Sequence, residues 1–232
     1  MYVQITTVCN MSCAHCCYGC GPRGKHMSQK TWEAVIKTVT DQEGPDGSIS
    51  IGGGEPTLHP RFWSYLTDAI AAFDNVWLAT NGSQTATALK LAKLARKGVI
   101  ACALSQDEYH DPIDPSVVTA FWEGKKQRDY FSLREERDCR EVRTVTNHPE
   151  NMALFRDPEK GGSPENCPCQ ELIITPSGKV RFCGCKNAPV IGDVFGGFQK
   201  PEGTEEYDCW YQYMKAVNAE NFDSFQKYVT AS

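Results

Sequence analysis

The sequence has no long apolar run, no tail of like charges and no internal repeat. Because no stretch of about 18 apolar residues occurs, no membrane-spanning helix is expected. Residues 1–10 have neither the basic start nor the apolar centre of a secretory signal peptide. The net charge is −5, which excludes a general attraction to nucleic acid or to an anionic membrane, although a local basic groove for nucleic acid stays open.

Cysteine is abundant by contrast, with 12 residues in a chain of 232. Disulfide frameworks are typical of short secreted chains, and nothing in this sequence indicates secretion. We therefore interpret the cysteines as metal ligands in a reducing cytoplasm. Five of them lie within residues 9–20 and four within 167–185, whereas Cys102, Cys139 and Cys209 stand alone. This grouping predicts two metal sites.

Strand and helix patterns alternate over the first half of the chain. Strands are predicted at 2–7, 48–51, 75–80, 99–104 and 141–146, and helices at 31–42, 60–73, 84–97 and from 115 onward. This alternation implies parallel strands joined by helical crossovers, as in an α/β partial barrel. Residues 148–166 are polar and turn-rich, so we predict one domain over 1–150 and a small second region over 151–232. Residues 171–182 predict a β-hairpin in that second region.

The first cysteine group begins where the first strand ends, in the order Cys9-x3-Cys13-x2-Cys16. Three thiolates on one loop can bind three irons of a cubane and leave the fourth iron open to a substrate or cofactor. Structural zinc is the alternative, because Cys13 and Cys16 followed by Cys17 and Cys20 have the paired spacing of a zinc knuckle. A zinc-binding interaction module without catalytic activity is therefore the non-enzymatic hypothesis.

Polar and glycine-rich motifs follow the next three predicted strands. Their residues are Gly52, Gly53, Gly54 and Glu55 after the second strand, Asn81 and Gly82 after the third, and Ser105 and Asp107 after the fourth. Each motif alone is an ordinary turn or cap signal. Parallel α/β folds bind their ligands at the carboxyl ends of strands, so the ordered series predicts one site.

Residues 1–110, with this cysteine spacing and these motifs, resemble the radical SAM superfamily. In that family the open iron binds the amino and carboxylate groups of S-adenosylmethionine, and one-electron reduction cleaves it to methionine and a 5′-deoxyadenosyl radical. The resemblance implies a barrel of the radical SAM type, with a 4Fe–4S cluster on Cys9, Cys13 and Cys16. It also implies a reducing electron donor such as flavodoxin or ferredoxin.

The resemblance further implies which residues contact S-adenosylmethionine. They are His15, Gly52, Gly53, Gly54, Glu55, Asn81, Ser105 and Asp107. His15 occupies a position that is usually aromatic in the family, and Tyr18 is the alternative aromatic surface. Tyr109 and His110 are candidates for proton or hydrogen transfer, with a plain polar role at a strand end as the alternative.

The second cysteine group flanks the predicted hairpin. Cys167 and Cys169 precede it, Cys183 and Cys185 close it, and Cys209 follows. This arrangement resembles the twitch or SPASM appendage, which implies an auxiliary iron–sulfur cluster. Five candidate ligands exceed the four that a cubane uses, and zinc remains the alternative metal.

The resemblance implies hydrogen abstraction from an unreactive carbon, without identifying the substrate. One hypothesis is modification of a peptide or protein, and another is rearrangement or oxidation of a nucleotide, nucleobase or other small molecule. A visible leader-peptide-binding domain would favour the first hypothesis, and none precedes Met1 in this sequence.

Overall fold

The computed structural model describes residues 1–13, 16, 18–44, 46–125, 138–143, 171–184, 188–204, 210 and 213. The strands are β1 (Tyr2–Thr6), β2 (Ser48–Gly53), β3 (Asn75–Thr80), β4 (Ala101–Ser105), β5 (Arg140–Arg143), β6 (Ile173–Ile174), β7 (Lys179–Arg181), β8 (Val190–Asp193) and β9 (Gly197–Phe198). The helices are α1 (Gln29–Glu43), α2 (Phe62–Ala72), α3 (Thr85–Arg96) and α4 (Pro115–Lys125), with a 3-10 turn at Pro56–Leu58.

The strands form one sheet in the order β5-β4-β3-β2-β1-β6-β7-β8-β9. Strands β1 to β5 are mutually parallel, and β6 is parallel to β1. From β6 to β9 each neighbouring pair is antiparallel. The sheet does not close, so the predicted partial α/β barrel is confirmed.

The predicted C-terminal hairpin is present as β6 and β7, with Ile173 opposite Arg181. It extends the main sheet, because Ile173 also pairs with Tyr2 at the edge of β1. The β8–β9 hairpin was not predicted, and its turn is held by Asp193, which accepts hydrogen bonds from the amides of residues 195 and 196. The predicted boundary at 150/151 lies outside the described residues and stays a prediction.

Local sequence explains how the helices are positioned. Ser28 caps α1 by accepting a hydrogen bond from the Thr31 amide at 3.1 Å, which is the cap expected of serine. Gly44 ends the helix with a φ of 74°. Because each helix connects parallel neighbours, every crossover returns the chain to the same end of the sheet.

The two faces of the sheet differ in burial. On β3, Val76 and Leu78 belong to the hydrophobic core beneath the helices. Trp77 and Ala79 point the other way and are half-buried. The register places Trp77 opposite Ala101, so small side chains border this tryptophan on β4. The face opposite the helices, which we call the inner face, is therefore half-buried at Trp77 and Ala79.

Within the described parts of the chain, no helix has the length and apolar character needed to cross a membrane.

Candidate active site

The first three cysteines lie on a loop that leaves the end of β1 and returns beside it. The Thr7 amide donates to the Lys25 carbonyl at 2.8 Å, and the Cys9 amide donates to the Gly21 carbonyl at 3.0 Å. The Gly21 amide donates back to the Thr7 carbonyl at 3.2 Å. These bonds close the base of the loop, which we call the cysteine loop (residues 8–21), at the carboxyl end of β1.

The thiols of Cys9, Cys13 and Cys16 are half-buried and form no disulfide. Burial, followed by the neighbouring charges of Cys9, Cys16 and Asp107, raises the pKa of Cys13 to about 11. Burial is also the main cause that raises the pKa of Cys9, with Glu55 and Cys16 adding to it. The three groups therefore share one electrostatic environment, in which a cation would relieve their mutual repulsion.

Cys16 differs because hydrogen-bond donors surround its sulfur. The Cys20 side chain, followed by the backbone of Cys20, Tyr18 and Gly19, lowers the pKa of Cys16 to about 5. This sulfur is thus prepared as a thiolate at neutral pH.

Across the described residues, no group of three or more His, Cys, Asp or Glu side chains is arranged to hold a metal ion.

Asn81 connects the end of β3 to the cysteine loop. Its side-chain amide donates to the Cys9 sulfur at 3.8 Å and to the Asn10 side-chain oxygen at 3.1 Å. Asn10 also accepts a bond from the Ser83 hydroxyl at 3.2 Å. The structure therefore brings the predicted residue Asn81 directly against the first predicted cluster ligand.

Glu55 lies wholly buried between the ends of β2 and β3. Its carboxylate accepts bonds from the Thr57 amide and hydroxyl, from the Thr80 hydroxyl at 2.8 Å and from the Asn81 amide at 2.6 Å. Burial raises the pKa of Glu55, and these hydrogen bonds oppose that effect. The Glu55 carboxylate thus accepts four hydrogen bonds from protein groups. The bond from the Asn81 amide fixes the position of Asn81.

The glycines after β2 let the cysteine loop lie against the sheet. Gly53 has a φ of 126°, and a Cβ there would overlap the Thr6 carbonyl oxygen. A Cβ at Gly54 would overlap the Val8 carbonyl oxygen. Gly52 pairs with Gln4 of β1. A Cβ at Gly52 would overlap the Tyr2 side chain, whereas Gly53 and Gly54 need glycine for backbone packing.

Asp107, Tyr109 and His110 form a turn after β4. The Asp107 carboxylate accepts a bond from the Tyr109 amide at 3.0 Å and contacts the His110 Nδ1 at 2.8 Å. The side chains of Asp107 and His110 are 1% and 12% exposed, whereas Tyr109 is 42% exposed. Since Asp107 acts on the pKa of Cys13, this turn faces the cysteine loop.

Sequence analysis missed Arg143 at the end of β5. It pairs with Ser105 of β4, and its guanidinium lies 5.3 Å from the centre of the Trp77 ring. Ser105, Arg143 and Trp77 therefore share the inner face. A basic residue within the strand predicted at 141–146 was the signal that could have identified it.

Of the second cysteine group, the structure describes Cys183. This thiol is fully buried beside Phe182 and Ala188, and Trp210 packs on the same small apolar cluster. His15 and the cysteines at 167, 169, 185 and 209 lie outside the described residues. The proposed auxiliary ligand set stays a prediction.

The three-cysteine loop and the ordered strand ends define a class of enzymes. The family profile of the Radical SAM superfamily matches residues 3–126, which is more than half of the chain. The chain belongs to the radical SAM superfamily, whose members use a 4Fe–4S cluster and S-adenosylmethionine. This membership decides against the zinc-binding interaction module.

Particular relatives match about half of the chain. The "Mycofactocin maturase MftC" of Mycolicibacterium smegmatis (strain ATCC 700084 / mc(2)155) is 29% identical over 115 residues, which are 49% of this chain and 29% of that protein. The "Putative peptide biosynthesis protein YydG" of Bacillus subtilis (strain 168) is 28% identical over 115 residues, 47% of this chain and 36% of that protein. The chain thus spans about a third of the length of these relatives.

A solved structure confirms the fold over almost the whole chain. The crystal structure of BtrN in complex with AdoMet and 2-DOIA superposes with a TM-score of 0.54 at 16% identity. The superposition covers 98% of this chain and 85% of that chain.

The donor atoms of the residues present, rather than their arrangement in this structure, fit the cofactor set of the superfamily. The cysteine loop supplies three thiols in one electrostatic environment, and thiolates are the ligands that iron–sulfur clusters require. Asn81, Ser105, Asp107 and Arg143 add polar and charged groups of both signs at the same ends of the strands. A zwitterionic cofactor matches that mixture.

Proposed function

We propose that this protein reductively cleaves S-adenosylmethionine and uses the resulting 5′-deoxyadenosyl radical to abstract a hydrogen atom from an unreactive carbon of its substrate. The observation that carries the proposal is the hydrogen bond from Asn81 to the Cys9 sulfur, supported from behind by buried Glu55. It joins a predicted cofactor residue to a predicted cluster ligand that lies 72 positions away in sequence.

In this proposal Cys9, Cys13 and Cys16 hold the cluster, and Asn81 supports the loop at the position next to the ribose. Arg143 and Asp107 carry opposite charges and therefore suit different groups of S-adenosylmethionine. Arg143 has the charge to pair with the methionine carboxylate, alongside the Ser105 hydroxyl. Asp107 suits the ammonium group or a ribose hydroxyl, because a carboxylate would repel the carboxylate of methionine.

We assign His110 to proton transfer near the substrate. Its Nδ1 contacts Asp107 at 2.8 Å, which orients the ring. Tyr109, on the same turn, is 42% exposed and is the second candidate. Both follow β4, next to the cysteine loop.

Among substrates, we propose a peptide or protein. Two relatives are named for maturation and for peptide biosynthesis. On the inner face of the sheet, the half-buried Trp77 and the alanines beside it offer an apolar contact surface to such a substrate. A small-molecule substrate is the alternative outcome.

We also propose an auxiliary iron–sulfur cluster on the second cysteine group. The support is the position of Cys183, a fully buried thiol within a shell of Phe182 and Trp210. An apolar shell of this kind controls solvent access and the potential of a cluster. This cluster would relay an electron or bind substrate.

The test is release of 5′-deoxyadenosine. Anaerobically prepared protein with dithionite and S-adenosylmethionine should release it, measured by liquid chromatography and mass spectrometry. Asn81→Ala should lower that rate at least about tenfold with unchanged iron content, because a hydrogen bond to the ligand sulfur is lost. The matched control is Asn75→Ala, at the exposed opposite end of β3, which should leave the rate unchanged. Iron-loaded wild-type protein that releases no 5′-deoxyadenosine would overturn the proposal.

A further inference from the structure

Residues 21–30 carry positive charge in a chain whose net charge is −5. The segment contains Arg23, Lys25, His26 and Lys30 and no acidic residue. We propose that this basic segment is the docking surface for an acidic one-electron carrier protein that reduces the cluster on the cysteine loop. The inference rests on the proposed function, because it assumes a cluster on that loop.

The basic segment is the returning side of the cysteine loop. Gly21 forms a bridge with Val8, and His26 forms an antiparallel bridge with Thr6. The Met27 amide donates to the Ile5 carbonyl at 2.8 Å, so the segment is fixed to β1. A protein docked here would be separated from the three cysteines by the backbone of their own loop.

The positive groups of the segment face solvent. Arg23, Lys25 and His26 are exposed, and neither Arg23 nor Lys25 forms an ion pair with the described residues. Lys30 lies 5.6 Å from the ring of Phe195, at the far end of the segment. Exposed and uncompensated charge of this kind attracts a partner of opposite sign and raises its association rate.

Neighbouring charges on the packed helices do not cancel the positive charge of the basic segment. Arg61, at the start of α2, is exposed and close enough to act on His59, whose ring lies 5.0 Å from that of His26. The acidic residues on this side are Glu33 and Asp68, which act on Tyr65 deeper along the helices. Asp68 is bonded to the Trp32 indole at 3.0 Å, and Glu33 accepts from Gln29 at 3.0 Å.

The position of the segment favours an electron carrier over an anionic substrate. His26 packs on His59, so the segment lies on the side of the sheet that the helices cover. Ser105, Arg143 and Trp77 lie on the inner face instead. A substrate has to touch the radical, which the strand-end residues place toward the inner face. An electron needs only to be transferred across the cysteine loop. A carrier can therefore dock on the side of the sheet that the helices cover.

The chemistry is a one-electron transfer: the reduced carrier loses one electron and the oxidised cluster gains it, with no bond made or broken in the carrier. Complexes of this type are small and transient, and their association depends on charge. Because salt screens exposed charges beyond about 8–10 Å at 0.1–0.15 M, the rate should fall as ionic strength rises.

The experiment measures how fast reduced flavodoxin, an acidic carrier, bleaches the visible absorbance of the cluster in stopped flow. The test variant is Arg23→Glu with Lys25→Glu. The loop is held through the backbone groups and threonine hydroxyls around Lys25, so the substitution leaves these bonds in place. The control variant is Lys93→Glu with Lys97→Glu, with the same charge change at the far end of α3.

At low salt we expect Arg23→Glu with Lys25→Glu to slow reduction by flavodoxin about 10-fold or more and to flatten its salt dependence. Reduction by dithionite should stay unchanged, as should both rates in the Lys93→Glu with Lys97→Glu control. Equal slowing in the two variants, an unchanged rate in the test variant, or no reduction of the wild type by flavodoxin would overturn the proposal.

Two further arms separate the possible failures. Loss of peptide or oligonucleotide binding in the test variant, with an unchanged flavodoxin rate, would assign the segment to substrate and contradict the proposal. If dithionite reduces the cluster but no S-adenosylmethionine is cleaved, the proposed function fails while docking is still measured by the bleaching rate.

Discussion

The two cysteine regions of this molecule differ in what surrounds their thiols. Cys9, Cys13 and Cys16 are half-buried and connect, through hydrogen bonds and charge, to the ends of β2, β3 and β4. Cys183 is fully buried among apolar side chains. A site that exchanges a cofactor needs access and polar partners, whereas a closed site needs an apolar shell. The difference supports our proposal that the cofactor binds at the first region.

Substitution of Cys13 is the strongest test of this difference between the two cysteine regions. We expect Cys13→Ala to abolish 5′-deoxyadenosine release and to lower iron content by about four atoms per chain, because a 4Fe–4S cluster loses one of its three ligands. The matched control is Cys102→Ala in β4, whose thiol is fully buried in the core. That variant should retain both iron and activity. Full activity in Cys13→Ala would remove the cysteine loop from the mechanism.

The second region should respond differently. We expect Cys183→Ala to remove up to about four irons while cleavage of S-adenosylmethionine stays within a few-fold of the wild type, because the first cluster is intact. Iron analysis and 5′-deoxyadenosine release on the same preparation provide the check. If cleavage is abolished together with the iron, the two regions form one site and the distinction made here is wrong.

Glu55 tests how the first region is held. In Glu55→Gln an amide NH2 would face hydrogen-bond donors from Thr57, Thr80 or Asn81. A mismatch of that kind in the interior costs about 2–4 kcal/mol, and we expect a lower Tm together with slower cleavage of S-adenosylmethionine.

The control for Glu55 is Glu43→Gln at the other end of β2. Glu43 also binds an amide and the N-terminal ammonium, but it lies at the surface, where such pairs contribute less than about 1 kcal/mol. Equal losses of stability in the two variants would show that Glu55 has no special role at the site.

The smallest effect concerns reactivity within the cysteine loop of metal-free protein. With a pKa of about 5, Cys16 is a thiolate at pH 7, whereas Cys13, with a pKa of about 11, is almost entirely protonated. The difference in thiolate is about 10⁴-fold, and the weaker nucleophilicity of a low-pKa thiolate offsets about 10³ of it. Cys16 should therefore react with an aromatic disulfide about tenfold faster.

The lowered pKa of Cys16 and the raised pKa of Cys13 predict different pH dependences for the two thiols. Because its pKa is lowered, Cys16 should keep its reactivity until the pH falls to about 5, while Cys13 should gain reactivity as the pH rises toward 11. Peptide mapping by mass spectrometry resolves the two sites. Equal labelling at pH 7 would show that the Cys20 side chain and the surrounding amides do not lower the pKa of Cys16.

Much of the fold followed from local pattern. The strand at 75–80 was predicted with its observed bounds, and the helix predicted at 31–42 lies within α1. Such features depend on residues close in sequence, so periodicity and capping identify them. The β8–β9 hairpin was missed because its strands have four and two residues, too few to show alternation.

The sequence predicted the residues of the candidate site, but not how they are arranged in space. The order of motifs indicated Cys9, Glu55 and Asn81, but only the folded chain shows that Glu55 faces Thr80 and Asn81. The packing role of Gly53 likewise depends on the neighbouring β1 backbone. Contacts between distant segments leave no local signal, which is also why Arg143 beside Trp77 was missed.

The measurement closest to the central claim is electron paramagnetic resonance of the dithionite-reduced protein with and without S-adenosylmethionine. If the cluster on Cys9, Cys13 and Cys16 has an open iron, addition of S-adenosylmethionine should change the spectrum of the wild type and have no such effect in Cys13→Ala. A wild-type cluster signal that is indifferent to S-adenosylmethionine, or colourless protein with stoichiometric zinc, would contradict the account.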